Sequence, residues 1–319
     1  MKVLICGGTR SESQANAQVR RSIMDGWIEY LGEDSVVSAS MSGAASVVSR
    51  LNPDIVVATG SYLPESTYFG EVSREARRLG KPIVFWATED PYEQDANYRI
   101  EHDFDAIFSC DRWASNFYAH PNVSHLPLAG CRKRHYVPID ATREKTIDVM
   151  FCGVAFTNRR EIVGDLLPLL SGLRLCFVGP GWGMFGPGFS DRRIDKSELI
   201  GLYARARIVL NLGRSLHFEN HRHSITPSTP GPRTFEAALA GTLQFFHEDT
   251  YEIGTYFTKD EIPCFSNIVE FDRLLRLYLS NDRLSLQTAT LAQNRAVSEH
   301  TYLFRARSMV ATLQGSGLL

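Results

Sequence analysis

The sequence predicts an α/β protein of two doubly wound, Rossmann-like domains facing each other across a cleft, with a helical C-terminal tail. Three observations carry this. Short apolar runs ending in glycine or a small polar residue alternate with helical stretches, which is the signature of a parallel sheet covered on both faces. The alternation breaks off over residues 130–146, which mix charges with Pro138 and lack periodicity, and then restarts. The chain of 319 residues is also long enough for two domains of ordinary size.

Val3-Leu4-Ile5-Cys6 reads as a first strand turning at Gly7. The helix after it carries Val19, Ile23, Trp27 and Tyr30/Leu31 on one face. Val36-Val37 is a brief second strand, and the helix over 44–51 stops at Asn52-Pro53. Residues 54–60 form a strand and its turn, residues 71–79 a helix closed by Gly80, and 83–88 a strand ending at Glu89-Asp90-Pro91. Weaker strands lie at 106–109 and 123–127.

After the 130–146 segment, read as the linker, strands are expected at 147–152, 173–178, 208–211, 243–246 and 262–265. Helices are expected over 161–170, 197–206, 232–240, 268–279, 283–296 and 300–313. The predicted domains are 1–140 and 147–300, with 301–319 a C-terminal helix packing back towards the first. In open sheets of this type ligands bind outside the carboxyl ends of the strands.

Hydrophobic residues make up 44% and charged residues 22%, a globular balance. With 34 basic against 36 acidic residues, no polyanion-binding surface is indicated, and bulk nucleic-acid binding is excluded. The basic run Arg132-Lys133-Arg134-His135 is too short to change that. Six scattered cysteines without a Cys-x-x-Cys pair read as small buried hydrophobes in a reducing compartment. No signal peptide or membrane-length apolar run is present, so a cytoplasmic location is expected. The oligomeric state is not legible.

The most informative segment is Pro232-Arg233-Thr234-Phe235-Glu236-Ala237-Ala238-Leu239-Ala240-Gly241. Proline suits the first turn of a helix and glycine the position past its end. The helix start at Arg233-Thr234 gathers unpaired N–H groups and a positive dipole end, which suit a phosphate. Glu236, one turn in, is placed to accept the two hydroxyls of a ribose; diphosphate plus ribose is a nucleotide. Glu89-Asp90, at a strand end in the first domain, offers a general base for an acceptor hydroxyl, or a turn cap before Pro91. His217, His221 and His223 lack a Glu-x-x-His pattern and read as a polar loop rather than a metal site. Gly7-Gly8-Thr9-Arg10 lacks both G-x-G-x-x-G and the Walker pattern, so Gly8 and Thr9 read as an acceptor-side loop.

With these residues in view, the chain resembles glycosyltransferases of the two-Rossmann-domain (GT-B) kind, in the group-1 branch that contains the spore-maturation CgeB-like proteins. The matching stretches are 148–153 followed by Asn158-Arg159-Arg160, 175–182 with its Gly179-Pro180-Gly181-Trp182 turn, 202–211, Arg233-Thr234-Phe235-Glu236 with Ala240-Gly241, and His300-Thr301-Tyr302 with Arg305. The first half matches more loosely, through 85–91 and 104–111. The resemblance implies a nucleotide-diphosphate sugar as donor, UDP among its carriers, and a hexosyl-type transfer to an acceptor hydroxyl without a metal or other cofactor. It also implies donor contacts from Gly153, Arg159 or Arg160 on the diphosphate, Gly179, Gly181, Trp182 on the base, Arg233, Thr234 and Glu236, with Asp90 or Glu89 catalytic. One departure is Ser228, which stands where many retaining relatives carry a second Glu. Base, sugar, acceptor and stereochemistry are left open. A nucleotide-sugar epimerase or hydrolase of this fold and a non-catalytic, spore-coat-like protein are the alternatives.

Overall fold

The computed structural model describes residues 1–7, 14–63, 67–215, 218–248 and 251–319, without the side chains of residues 14–16 and 67. It divides into two compact units.

The first unit holds β1 (Val3–Gly7), α1 (Gln14–Leu31), β2 (Val36–Ser40), α2 (Met41–Leu51), β3 (Ile55–Gly60), α3 (Thr67–Arg78), β4 (Ile83–Ala87), β5 (Ala106–Ser109) and β6 (Val123–His125). All its strand pairs are parallel, in the order β2-β1-β3-β4-β5-β6. β1 and β4 are buried along their whole length, which is why they read as unbroken apolar runs. α2 ends at Asn52, which takes the left-handed conformation (φ 45°) and caps the Val48 carbonyl. The core packs Phe69, Phe85 and Phe104 edge to face, with centroids 5.0–5.8 Å apart.

Two later segments also belong to this unit. One is 218–229, which includes His221 and His223 of the polar loop. Glu219 exchanges backbone hydrogen bonds with Tyr92 and Asp95, and the Asp95 carboxylate accepts the His221 and Arg222 N–H groups. The other is the terminal helix, Tyr302–Gly315. Tyr302 packs edge-on to Trp86 and lies so close to Gly26 that a Cβ there would meet the Tyr302 backbone at 2.5 Å. Arg305 Nε donates to the Pro127 carbonyl at 2.9 Å.

The second unit covers 129–216 and 230–301. It holds α4 (Arg132–His135), β7 (Ile147–Cys152), α5 (Thr157–Leu170), β8 (Leu175–Val178), β9 (Phe189–Ser190), α6 (Lys196–Arg205), β10 (Ala206–Asn211), α7 (Pro232–Leu239), β11 (Leu243–His247), β12 (Cys264–Phe265), α8 (Ile268–Leu279) and α9 (Asp282–Glu299). Its parallel sheet runs β12-β11-β10-β7-β8-β9, the dinucleotide-fold order, which reverses between β7 and β10.

The segment read as a linker is part of this unit. Val137 donates its N–H to the Leu239 carbonyl, Gln293 Nε2 donates to the Val137 carbonyl, and His135 is fully buried. Its charges had concealed these anchors: Arg132 and Lys133 are exposed, whereas His135 points inward. The domain edge therefore falls at 128/129 rather than after residue 140. No two of the six cysteines are joined in a disulfide.

Candidate functional site

In the second unit the carboxyl ends of β7 and β10 flank the point where the strand order reverses. Arg159, on the first turns of α5, spans it. Its Nε donates to the carbonyls of Leu212 (3.2 Å) and Gly213 (2.9 Å), its Nη1 donates to the Val154 carbonyl (3.0 Å), and its guanidinium lies over the Phe151 and Phe156 rings. At 5% exposure it is a strut across the crevice floor rather than the phosphate ligand expected from its motif. Arg160, half-buried with a 3.4 Å contact to Thr157 Oγ1, is the member of the pair left facing solvent.

Trp182 is a second correction. The indole is fully buried, donates its N–H to the Gly153 carbonyl at 2.7 Å, and packs among Phe151, Phe177, Phe185 and Phe189. A ring enclosed in this way has no face for a base. Gly179 serves the same packing: at φ 139°, a Cβ would lie 2.3 Å from the Gly153 carbonyl oxygen. Gly181 is exposed, with φ 91°. The glycine turn thus brings the β8 loop onto the β7 loop.

α7 begins as the sequence predicts. Gly231 is the N-cap and brings no capping side chain of its own, and Pro232 occupies the first turn. Arg233 is exposed and Thr234 buried. Glu236 is 2% exposed, and both its oxygens accept from Lys196 Nζ, at 2.6 and 2.7 Å. His135 Nε2 lies 3.8 Å from Glu236 Oε1. Because the Cys131 N–H donates to His135 Nδ1 at 2.9 Å, the ring proton sits on Nε2, facing the carboxylate. Burial alone would push the Glu236 carboxyl up; Lys196, His135 and Arg233 outweigh it and hold the group at about 2. The Tyr203 hydroxyl is buried and has no hydrogen-bond partner among the described residues, and burial, then Cys152 and Glu236, push it well above its ordinary value.

Sequence reading missed Lys196, His135 and Tyr203. Lys196 lies 40 residues before Glu236 and shares no motif with it. His135 was submerged in a basic run, and Tyr203 reads as an ordinary apolar-face residue of α6.

In the first unit, Asp90 follows β4 and is 4% exposed. It accepts hydrogen bonds from Tyr62 Oη (3.0 Å), Tyr118 Oη (2.7 Å) and Ser109 Oγ. Burial raises its carboxyl to about 6, although those three hydroxyls pull it down. A carboxylate enclosed by three donors is an anchor for the ends of β4 and β5, not the open base expected; an acceptor hydroxyl would first have to displace one of them. Glu89 beside it is half-buried. Glu93 was not singled out in the sequence. Both of its oxygens accept from Ser61 Oγ (2.8 and 2.7 Å), just past the end of β3. Burial, followed by repulsion from Glu89 and Asp90, raises it to about 7.

Gly8 and Thr9 lie outside the described residues, as does His217. His221 and His223 are exposed, and the His223 ring lies against Phe117. Among the described residues no group of three His, Cys, Asp or Glu side chains could hold a metal, and no helix is long and apolar enough to cross a membrane. A cavity of about 750 Å³, bordered by Arg143, Lys145, Arg174 and Arg207, opens at the amino ends of β7 and β10, opposite to where such sheets bind ligands.

Residues 159–311 match the model of the family described as glycosyl transferase-like. The fold is the GT-B fold. The chain is 23% identical over 177 residues to the spore protein CgeB of Bacillus subtilis, covering 51% of this chain. It spans about half (55%) the length of that relative. Among solved structures it is similar to Anabaena Alr3699/HepE in complex with UDP, at 10% identity and a TM-score of 0.63 over 99% of this chain and 100% of that one. AviGT4, a glycosyltransferase involved in avilamycin A biosynthesis, gives 14% identity and a TM-score of 0.64 over 98% and 97%.

Proposed function

We propose that the protein transfers a sugar from a nucleotide-diphosphate donor to an acceptor hydroxyl, without a metal ion. The observation that carries the donor half is Glu236: a carboxylate 2% exposed and bridged by Lys196 Nζ, one turn inside a helix whose N-cap is Gly231. That pairing fits a ribose diol beside a diphosphate. The similarity to HepE, solved in complex with UDP and with UDP-glucose, supports a nucleotide sugar as ligand.

In the reaction the bond from the anomeric carbon to the diphosphate oxygen breaks, and its electron pair leaves with the diphosphate. Arg233, Arg160 and the α7 N-terminus stabilise that charge by fixed electrostatics. The acceptor oxygen forms the new bond, and its proton passes to a general base. Calorimetry with UDP, GDP and ADP, then assay of UDP-glucose and related donors with an acceptor panel, tests the reading. A folded protein that binds none of them overturns it. Binding without turnover favours a non-catalytic role.

A further inference from the structure

We infer that Lys196 is the positioning residue for ribose recognition, holding Glu236 ionised and in a fixed plane so that its outer lone pairs meet the diol. The inference rests on the donor reading of Glu236 given above and adds to it a residue that no motif marks.

The geometry is specific. Lys196 Nζ bridges both carboxylate oxygens, at 2.6 and 2.7 Å. An ionised carboxylate offers about four lone-pair directions, two per oxygen. The bridging ammonium takes one on each, leaving one on each for the two hydroxyls of a ribose. Lys196 is the first residue of α6, directly after its N-cap Asp195, whose side chain accepts the Glu198 N–H. The lysine is thereby anchored at its backbone and extends to a carboxylate on α7. Its side chain is 27% exposed, against 3% for Glu236.

Charge explains why such a residue is needed. A carboxylate buried this deeply is driven towards its protonated form. Protonation removes one acceptor and creates a donor that faces a donor hydroxyl. The groups around Glu236 are Lys196 and Tyr203 on α6, His135 on α4, Arg233 on α7 and Cys152 at the end of β7. Burial holds Tyr203 and Cys152 above their ordinary values, so neither supplies charge at neutral pH. Arg233 is exposed and His135 Nε2 stands at 3.8 Å, whereas Lys196 Nζ contacts the carboxylate at 2.6 Å.

The test titrates UDP, GDP and ADP, each with its 2′-deoxy counterpart, into the parent chain and into Lys196→Met, Lys196→Arg and Glu236→Gln between pH 5 and 9. Glu236→Gln supplies the baseline, because ionisation of the nucleotide phosphate is common to all four proteins. Relative to it, the parent keeps a constant advantage and a constant preference for ribose over deoxyribose. Lys196→Met binds at least about tenfold more weakly than the parent at pH 6 and recovers as pH rises through the elevated pKa of Glu236. Its ribose preference returns over the same range, and Lys196→Arg restores most of it at every pH. A Lys196→Met profile parallel to the parent's overturns the inference while leaving Glu236 in place. A folded Glu236→Gln that binds like the parent, or a parent that binds no nucleotide, removes the donor reading and the inference with it.

Discussion

Asp111 holds Ser228 from two sides: its carboxylate accepts the Ser228 N–H at 2.7 Å and the Ser228 hydroxyl at 3.1 Å. The same carboxylate accepts the N–H groups of Thr229, Trp113 and Ala114. Asp111 is 2% exposed and Ser228 fully buried. The position at which many resembling proteins carry a second glutamate is here the closing stitch of a loop, and it has no room for a larger acid.

Ser228→Glu should therefore destabilise the chain. It buries a second carboxylate against Asp111 and breaks the stitch, so a loss of about 3 kcal/mol or more is expected. Denaturant unfolding of the parent and the variant measures it. A variant of unchanged stability would show that the loop accommodates the acid.

Arg159 is expected to matter for stability before it matters for ligand binding. Arg159→Ala leaves the carbonyls of Leu212, Gly213 and Val154 short of a donor and empties the slot between Phe151 and Phe156. The cost is about 2–4 kcal/mol. Arg160→Ala, on the half-exposed neighbour, should change stability by less than about 0.5 kcal/mol and weaken nucleotide diphosphate binding instead. Thermal unfolding and calorimetry on the two variants separate the roles, and a reversed pattern would return Arg159 to the phosphates.

The contrast between these arginines shows what the sequence could reveal. Parallel strands buried on both faces are unbroken apolar runs, so β1, β3, β4, β7 and β10 were legible together with the helices between them. β9, with two residues, and the 3₁₀ turn Gln94–Arg99 carry too little pattern to read. Glu236 was found because its helix signals itself through Pro232 and Gly241. Lys196 and His135 were not, because a pair joined only in three dimensions leaves no spacing in one. Arg159 and Trp182 were singled out by the motifs they resemble and Asp90 by its place at a strand end, and burial decided their roles. An arginine between two rings, an indole among four phenylalanines and an aspartate under three hydroxyls are all already occupied.

Glu93 gives a pH prediction with a definite sign. Its folded-state pKa of about 7 lies above the ordinary value of 4.5, so the folded chain holds its proton where the unfolded chain has lost it. Stability from this group is full below about pH 4.5 and falls as pH rises to about 7. Asp90, raised to about 6, acts in the same direction. Glu93→Gln removes the Glu93 contribution, so its stability relative to the parent should improve by roughly 2–4 kcal/mol between pH 4.5 and 8. Chemical denaturation at several pH values checks this. A parent and variant that stay parallel across the range would place Glu93 in a better solvated setting than its 8% exposure indicates.

Metal independence is expected to hold in assay. The charge on the departing diphosphate is assigned to Arg233, Arg160 and the α7 N-terminus, all supplied by the chain itself. Transfer measured with excess EDTA should proceed at the rate without it. Loss of activity restored by manganese or magnesium would contradict the assignment.

The last prediction concerns Glu236 itself. Glu236→Ala removes the two acceptors proposed for the ribose hydroxyls, and nucleotide affinity should fall by about 1.5–3 kcal/mol, the range for hydrogen bonds to a charged group. The same change leaves the Lys196 ammonium without its carboxylate, so stability is measured in parallel. With Lys196 27% exposed, the lysine can turn to water, and the loss of fold stability should be smaller than for a fully enclosed pair. pH separates the two effects further. Glu236 is held at about 2, so the stability it contributes is present above its unfolded value of 4.5 and is lost only as pH falls towards 2. Parent and variant should therefore converge in stability under acid conditions while differing in nucleotide affinity throughout the neutral range. A folded Glu236→Ala that binds UDP, GDP and ADP with parental affinities would leave the α7 N-terminus without its ribose partner and direct the search for the donor site elsewhere in the second unit.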